Sequence, residues 1–359
     1  MPITQQSEME VYESFLKEQL VPVACLVDEE GFYPESIMRG LGKLGAFQFS
    51  KLNEKEALLK RLKLIEMSAK YCVSTSFLIW CHTTSISFII NSNNSYLKEK
   101  LLPLMENGQL LGGTGLSNAM KYYAGMEDIR LNAKKVEGGY SINGVAPFVS
   151  NLGPGHWFGV IAQVNKEQRI FAMINCDLPE IKMKEHKDFT GMNGTRSYTC
   201  RFNDVFIPNE YIISDSADQF IPKIRQSFVL SQAGMGLGLV QACIDNMLKV
   251  VDKQNKTNQF IGISPSEILE QLYALQQKAY LLSENFTKNN FISSVQVRLE
   301  AAELALKTAE IAFLYQGAAG YYRKSDCMRR LREALFIAIV TPAIKHLKRI
   351  LMENNVTSC

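Results

Sequence analysis

Residues 110–151, LLGGTGLSNAMKYYAGMEDIRLNAKKVEGGYSINGVAPFVSN, are the first part of this 359-residue chain with the character of a β-sheet. Residues 128–133 alternate polar and apolar side chains, as a strand with one buried face does. Glu137-Gly138-Gly139 follows as a tight turn, because glycine adopts positive φ without steric cost. A return strand is broken at Asn143-Gly144 and closes with Phe148-Val149-Ser150. The stretch therefore predicts a β-meander.

The segments on either side of this stretch have the hydrophobic period of helices. Before it, helices are predicted over 9–20, 35–44, 55–91 and 96–108, with one or two helices in the third range. After it come further strand-like segments, over 156–164, 169–176, 181–186 and 198–207. Helical periodicity then returns over 228–251, after the capping residue Ser264, and over 296–316, 324–340 and 343–353.

This order of segments predicts three domains. They are a helical N-terminal domain over 1–108, a middle antiparallel β-barrel or sandwich over 109–214, and a C-terminal four-helix bundle over 215–359. The 228–251 helix contains Gly234, Gly236 and Gly238. Each glycine costs a helix about 1 kcal/mol relative to alanine, so the three predict close contact with another helix or with a cofactor.

Composition excludes several classes of function. A net charge of +3 is too small to indicate nucleic acid or an anionic membrane as a partner. Eight cysteines without a C-x-x-C pair predict free thiols in a reducing compartment, and four dispersed histidines do not have a metal-site spacing. The first residues lack an export signal, and the apolar run 77–90 is too short to cross a bilayer. We expect a cytoplasmic protein without membrane insertion or bound metal.

Gly112-Gly113-Thr114-Gly115 has the look of a phosphate-binding loop. A nucleotide P-loop needs a following Lys-Ser/Thr and opens a helix, and neither feature is present. The motif is therefore interpreted as part of a strand.

Three motifs resemble those of the acyl-CoA dehydrogenase family of flavoproteins. Asn143-Gly144 followed by Phe148-Val149-Ser150 is similar to the family's N-G-x-K-x-W-I-T/S. Residues 191–197 and 202–208 are similar to G-M-R-G-S-x-T…F-x-D-V-x-V-P, and residues 98–108 to K-x-x-x-L-P-x-L-x-x-G. The resemblance extends towards both ends of the chain.

The resemblance implies the acyl-CoA dehydrogenase fold, bound FAD, and a homodimer or homotetramer in which subunits share contacts with the flavin. By position it assigns cofactor binding to Leu116, Ser117, Phe148 and Ser150, which match residues beside the flavin ring. Gly317 and Gly320 match the family's Gly-Gly-x-Gly turn. For Phe148 taken alone, packing in the core is an equally good interpretation.

The family's catalytic glutamate is not matched. One family position for it is the E-G-T that follows an R-D-A helix. After Arg332-Glu333-Ala334, that position holds Thr341-Pro342-Ala343, and threonine cannot act as a carboxylate base. The second family position, at the start of the first bundle helix, holds Phe228-Val229 or Leu230-Ser231. The catalytic residue is therefore unknown, with Thr341 at the usual position of the base.

Contacts on the phosphate side of the cofactor also depart from the family pattern. Thr257 stands where the family has the arginine of R-x-x-F-G, Met126 replaces the serine of A-G-S-D, and Leu314 replaces a glutamine. Glycine-rich backbone and helix N-termini can hold phosphate without arginine.

Three functions remain open on the sequence. The first is a divergent flavin-dependent oxidoreductase that oxidises a CH–CH bond of an acyl thioester carried by CoA or a carrier protein. The second is a flavin-dependent monooxygenase or oxidase on the same fold. The third is a non-catalytic binding subunit.

Overall fold

The N-terminal part of the chain is helical. The computed structural model describes residues 5–287 and 290–356. Its first helices are α1 (Gln5–Gln19), α2 (Ala24–Glu29), α3 (Glu35–Lys43), α4 (Glu54–Ala69), α5 (Val73–Asn91) and α6 (Leu102–Glu106). The range 55–91 thus contains two helices, and α4 begins with a capping box between Asn53 and Glu56.

The helix predicted over 96–108 is not a continuous α-helix. A π-helical turn, Leu97–Leu101, precedes the short α6. Pro103 lacks the amide hydrogen that a continuous α-helix needs at this point. The predicted end at Asn107-Gly108 is confirmed, because Gly108 has φ +75°.

The middle of the chain forms one eight-stranded sheet. Its strands are β1 (Gly112–Thr114), β2 (Leu131–Val136), β3 (Gly139–Val149), β4 (Trp157–Gln163), β5 (Arg169–Asn175), β6 (Ile181–Glu185), β7 (Tyr198–Pro208) and β8 (Ile212–Ser214), with α7 (Ser117–Tyr122) between β1 and β2. The strand order is β6-β7-β3-β2-β4-β5-β8, and β1 pairs with β4.

Two features of this sheet correct the sequence-based picture. The sheet is mixed, because β1 and β2 each pair in parallel with β4. Asn143-Gly144 does not break β3 but causes an irregularity in its pairing with β7. Gly144 has φ +125°, a conformation that glycine allows, so the strand continues through it.

The C-terminal part is a helical bundle. It consists of α8 (Ala217–Asn258), α9 (Pro265–Glu284), α10 (Phe291–Gln316), α11 (Asp326–Ile339) and α12 (Ile344–Val356). Ser264 caps α9 with Glu267 in a capping box, and Ser325 caps α11. The α11–α12 junction, residues 340–343, separates the last two helices.

Glycines in α8 let neighbouring helices approach its backbone closely. A Cβ on Gly234 would come within 2.8 Å of the Leu62 carbonyl oxygen in α4, and one on Gly236 within 2.6 Å of the Ala301 carbonyl oxygen in α10. A Cβ on Gly238 would collide with the Glu66 carbonyl oxygen in α4. The predicted close contact is therefore between helices.

The N-terminal and C-terminal helices share one hydrophobic core. Buried residues from Tyr12 in α1 to Leu347 in α12 belong to a single cluster, while the sheet encloses a second cluster that includes Tyr140 and Phe202. The two helical segments therefore pack as one layer, which lies against the sheet through α5 and α8.

Two helices are long and apolar enough to cross a membrane by length and composition, α5 and the first 35 residues of α8. In α5 the apolar run is longer than the range 77–90 suggested. Most of both segments, 94% and 89% of the apolar windows, is buried inside the protein. This burial is typical of core helices. The seven described cysteines are free thiols.

Candidate functional site

A cavity of about 930 Å³ lies between the sheet, α5, α8 and the α11–α12 junction. This volume is in the range of sites for small molecules and cofactors. One wall is apolar and is formed by Phe77, Trp80, Phe228, Leu335, Phe336 and Ile339. The other carries hydroxyl groups, those of Thr114, Ser117, Ser150, Thr195 and Ser197.

Three hydroxyl groups of this wall form a connected hydrogen-bond network. Ser150 Oγ lies 2.6 Å from Ser197 Oγ, which lies 3.1 Å from Thr195 Oγ1. The Thr195 hydroxyl also donates to the Met192 carbonyl at 2.8 Å. Because each hydroxyl can both donate and accept, this wall can adapt to either polarity on a ligand edge.

The backbone around this wall is unusual. Phe148, Asn151, Met192 and Arg196 all have positive φ, between 42° and 66°. Residues other than glycine rarely adopt this conformation, and such strain often occurs at functional sites. These four residues flank or line the hydroxyl wall, which supports a binding role for it.

Phe148 is not a core residue. Its side chain is 58% exposed, and its ring stacks on that of His186 with a centroid separation of 4.5 Å. Phe148 also lines the cavity. It therefore offers a flat apolar surface at the edge of the site.

Thr341 lies where the bundle meets the β-domain. Its hydroxyl is 2.9 Å from that of Ser117, at the beginning of α7. Its carbonyl accepts a hydrogen bond from Gln232 of α8 at 3.0 Å. Both side-chain oxygens are neutral, so the pair can donate and accept hydrogen bonds but cannot supply a carboxylate.

His346 is a site residue that the dispersed histidine pattern did not reveal. It lines the cavity together with Thr341, and its Nδ1 accepts a hydrogen bond from the Ala343 amide at 3.2 Å. Burial lowers the pKa of His346, and the nearby Lys345 and Lys121 lower it further. The ring is therefore neutral at pH 7 with its proton on Nε2, where it acts as a donor.

A second cavity of about 470 Å³ adjoins the first. Both are lined by Lys121, Thr341 and His346, and the second is also lined by Arg225. Lys121 is paired with Glu127 at 2.7 Å. The two cavities therefore meet at Lys121, Thr341 and His346.

The predicted cofactor residues are only partly brought together. Ser117, Phe148 and Ser150 line the larger cavity, while Leu116 is fully buried in the core. Gly317 and Gly320 lie in the turn after α10, and neither cavity includes them. Thr195, Ser197 and His346 were not predicted. The first two lie in the quoted 191–197 motif, and His346 lies five residues after Thr341.

Glu333 is the carboxylate nearest before Thr341 in sequence, but it does not reach the site. It is fully buried in α11, where it accepts hydrogen bonds from Arg329 and from the Val73 amide. Among the described residues that line the two cavities, the only carboxylate is Glu353, which is exposed.

Comparison with known proteins gives a consistent set of relatives. No protein-family profile matches the chain. Its relatives in sequence are acyl-CoA dehydrogenases, such as the mitochondrial short-chain specific acyl-CoA dehydrogenase of Rattus norvegicus. That protein is 23% identical over 361 aligned positions, which cover 93% of this chain and 85% of the relative.

Solved structures show the same fold over almost the whole chain. Butyryl-CoA dehydrogenase from Megasphaera elsdenii superposes with a TM-score of 0.87 at 18% identity, covering 99% of this chain and 98% of that chain. The prolyl acyl carrier protein oxidase AnaB superposes with a TM-score of 0.80 at 14% identity, covering 98% and 99%.

Proposed function

We propose that this divergent member of the acyl-CoA dehydrogenase family is an FAD-dependent oxidoreductase that acts on an acyl thioester. The observation that carries the proposal is the pair of adjoining cavities. Its larger cavity joins a hydroxyl wall to an apolar wall, and Thr341 stands where the two cavities meet.

The residues of the larger cavity fit a flavin ring. Such a ring is flat, with apolar faces and an edge of nitrogen and oxygen atoms, and it needs both kinds of wall. Ser117, Ser150 and Ser197 offer hydrogen bonds to the edge, and Phe148 offers an apolar surface to the ring. When bound, FAD would supply a two-electron acceptor.

The phosphate side has fewer partners. Of the cations that line the larger cavity, Arg332 is paired with Asp28 and Glu29, and Lys121 with Glu127. Lys345 is exposed and makes no ion pair among the described residues. We therefore assign Lys345 as the phosphate contact within this protomer.

The second cavity suits the arm of a thioester. An acyl group on CoA or on a carrier protein is attached through a long, thin pantetheine chain, and a cavity of about 470 Å³ beside the larger one has room for part of such a chain. AnaB, which shares the fold, is described as an acyl carrier protein oxidase. The proposed substrate is therefore a thioester of either CoA or a carrier protein.

The groups near Thr341 are hydrogen-bond donors rather than bases. The Ser117–Thr341 pair and the neutral His346 can orient and polarise a carbonyl oxygen. Proton removal from the α-carbon, in contrast, would lack the carboxylate that contributes about 10²–10⁴-fold to the rate. Oxidation of the CH–CH bond of a plain saturated acyl-CoA is therefore expected to be slow.

The same observation favours one second candidate. A flavin-dependent monooxygenase or oxidase does not need a base for an α-proton, and neutral donors around Thr341 suit such chemistry. The binding-subunit hypothesis differs from both because it requires no flavin.

Anaerobic titration of the FAD-loaded protein with a panel of acyl-CoAs tests the proposal. We expect each bound thioester to perturb the visible flavin spectrum and to bleach it slowly. Oxygen uptake by the protein with chemically reduced FAD, measured with and without thioester, distinguishes a monooxygenase or oxidase from a dehydrogenase. A flavin spectrum that no thioester perturbs would contradict an acyl thioester substrate.

A further inference from the structure

Arg298 in α10 is a fully buried guanidinium. Its Nε donates to Gln232 Oε1 at 3.1 Å, and its Nη2 donates to the Ile337 carbonyl at 2.7 Å. Its Nη1 has no hydrogen-bond partner among the described residues. Both partners are neutral.

No carboxylate compensates this charge. Arg298 forms no ion pair among the residues that the structure describes, and burial alone lowers its pKa, to about 10. The group is therefore cationic at neutral pH. An isolated buried charge is costly to a folded protein. The hydrogen-bond partners of Arg298 therefore indicate the role that this charge serves.

Both of its contacts lead to the wall of the larger cavity. Gln232, which accepts from Arg298, donates from Nε2 to the Thr341 carbonyl at 3.0 Å. Ile337 immediately precedes the cavity-lining segment 338–341. Arg298 thus fixes this segment at one end directly, and at the other end through Gln232.

We propose that Arg298 and Gln232 form a buried clamp that positions Thr341 and the adjoining cavity wall. The clamp is a property of the chain itself, and only its effect on bound flavin rests on the proposed function. Arg298 is a positioning residue, since it does not line either cavity.

The clamp also places a positive charge behind the wall. In a region of low dielectric such a charge is weakly screened and stabilises negative charge nearby. FAD bound in the cavity would gain negative charge on reduction, so the clamp should make its reduction easier.

Hydrogen–deuterium exchange of the ligand-free protein tests the positioning. Arg298→Met and Gln232→Leu each remove hydrogen bonds to the wall, so exchange over residues 337–347 should become about tenfold faster. Gln232→Leu retains the guanidinium and its bond to Ile337, and it decides the test if Arg298→Met does not fold.

Arg61→Met is the matched control. Arg61 in α4 is also buried without an ion pair among the described residues, and burial lowers its pKa to about 10. Its guanidinium lies over the Phe49 ring at 5.5 Å, and no hydrogen bond among the described residues joins it to the α11–α12 junction. Equal exchange over 337–347 in Arg61→Met and in both clamp variants would overturn the proposal.

The reduction potential of bound FAD is the second readout. Gln232→Glu keeps an acceptor for Arg298, but its carboxylate neutralises the guanidinium charge and cannot donate to the Thr341 carbonyl. The reduction potential of bound FAD should therefore become more negative, as in Arg298→Met. Arg298→Lys should restore it in part, and Arg61→Met should leave it unchanged. An unchanged potential in Gln232→Glu and Arg298→Met would count against the clamp. Failure of the wild type to bind FAD would count against the proposed function only, and the exchange data would then decide.

Discussion

Thr341 is the residue on which the proposed chemistry depends. The sequence motifs predict that it stands at the position of the family's catalytic carboxylate. Its hydroxyl forms a neutral pair with that of Ser117 at 2.9 Å. Its carbonyl is held by Gln232. The residue is thus well positioned, although it cannot remove a proton as a carboxylate does.

The first prediction is that Thr341→Glu increases the rate at which saturated acyl-CoA bleaches bound FAD. The new carboxylate would lie next to the Ser117 hydroxyl and provide the missing base, whose contribution is typically about 10²–10⁴-fold. The measurement is anaerobic stopped-flow absorbance of wild type and variant with the same acyl-CoA.

Thr341→Gln is the control, because it has similar size without the charge, and it should bleach as slowly as wild type. Rapid bleaching by the wild type would refute the argument from the missing base. An unchanged rate in Thr341→Glu would show that the site differs from the family's in more than the base.

A second residue-scale prediction concerns His82, a core histidine with both ring nitrogens satisfied. Nε2 donates to the Met105 carbonyl and Nδ1 accepts from the Gly112 amide, both at 3.0 Å. Burial lowers the pKa of His82 to about 3, whereas the unfolded value is about 6.5. Its contribution to stability is therefore complete above pH 6.5 and is lost as the pH falls below that value, by up to about 1.4 kcal/mol per pH unit.

Urea unfolding of wild type and His82→Gln between pH 7.5 and about 5 checks this linkage. His82→Gln should be less stable than wild type at pH 7.5 but should lose less stability on acidification. Parallel pH profiles for the two proteins would contradict the assignment of a neutral buried imidazole.

The sequence indicated some site residues but not others, and the reason is physical. Ser117, Phe148 and Ser150 could be found because short local motifs carry them. His346 could not, because its role depends on how α12 leaves the α11–α12 junction and on its distance from Lys121. Arg298 and Gln232 lie 66 residues apart, and only the packing of α10 on α8 brings them together.

At the scale of elements, α11 joins all three parts of the molecule. Arg332 of α11 pairs with the fully buried Asp28 of α2, and Asp28 accepts from the Met192 amide beside the hydroxyl wall at 3.0 Å. The loop that carries Thr195 and Ser197 is therefore tied to the N-terminal helices and to the bundle by one carboxylate.

Asp28→Ala should lower the free energy of unfolding by about 3–5 kcal/mol, because it leaves a buried guanidinium without its main partner. Glu303→Gln is the control. It breaks the exposed Lys348–Glu303 pair and should cost less than about 1 kcal/mol. Chemical denaturation measures both, and similar small losses would contradict a structural role for the Asp28–Arg332 pair.

Elements were predictable where local signals were strong. The helices over 35–44 and 296–316 follow from amphipathic periodicity, and α9 begins at its predicted cap, Ser264. The parallel pairing of β1 with β4 could not be read from the sequence, because strand order depends on contacts distant in the chain. The short α7 was missed since it lies in a segment with strand-like flanks.

At the scale of the whole molecule, the two helical segments share a core, yet the sequence separates them by the sheet. The site lies at the boundary between this helical layer and the β-domain. The helical layer contributes Phe77 and Thr341 to the site, and the β-domain contributes Ser150.

Assembly is predicted to be homodimeric or homotetrameric. The resemblance implies a large apolar self-interface on helix 296–316 and its neighbours. The exposed residues of that helix itself include Gln296, Glu303, Lys307 and Glu310. Exposed apolar side chains lie near the end of α10, on the turn after it and on α11, namely Leu314, Tyr321, Tyr322, Leu335 and Ile339. Such exposure is typical of association surfaces.

Light scattering at micromolar concentration should therefore give at least a dimer. Tyr321→Glu should weaken the association, since it places a charge among these exposed apolar side chains. Leu281→Glu, at an exposed position of α9, should not change the mass and serves as the control. A monomeric wild type would contradict the prediction.

The visible spectrum of the purified protein, recorded before and after incubation with excess FAD and removal of unbound ligand, decides whether the chain binds flavin. We expect a non-covalent flavin spectrum, at partial or full occupancy, and a weaker one in the double variant Ser150→Ala/Ser197→Ala because the ring loses its hydroxyl partners. A wild-type protein that remains colourless after incubation would refute FAD binding and would favour the binding-subunit hypothesis.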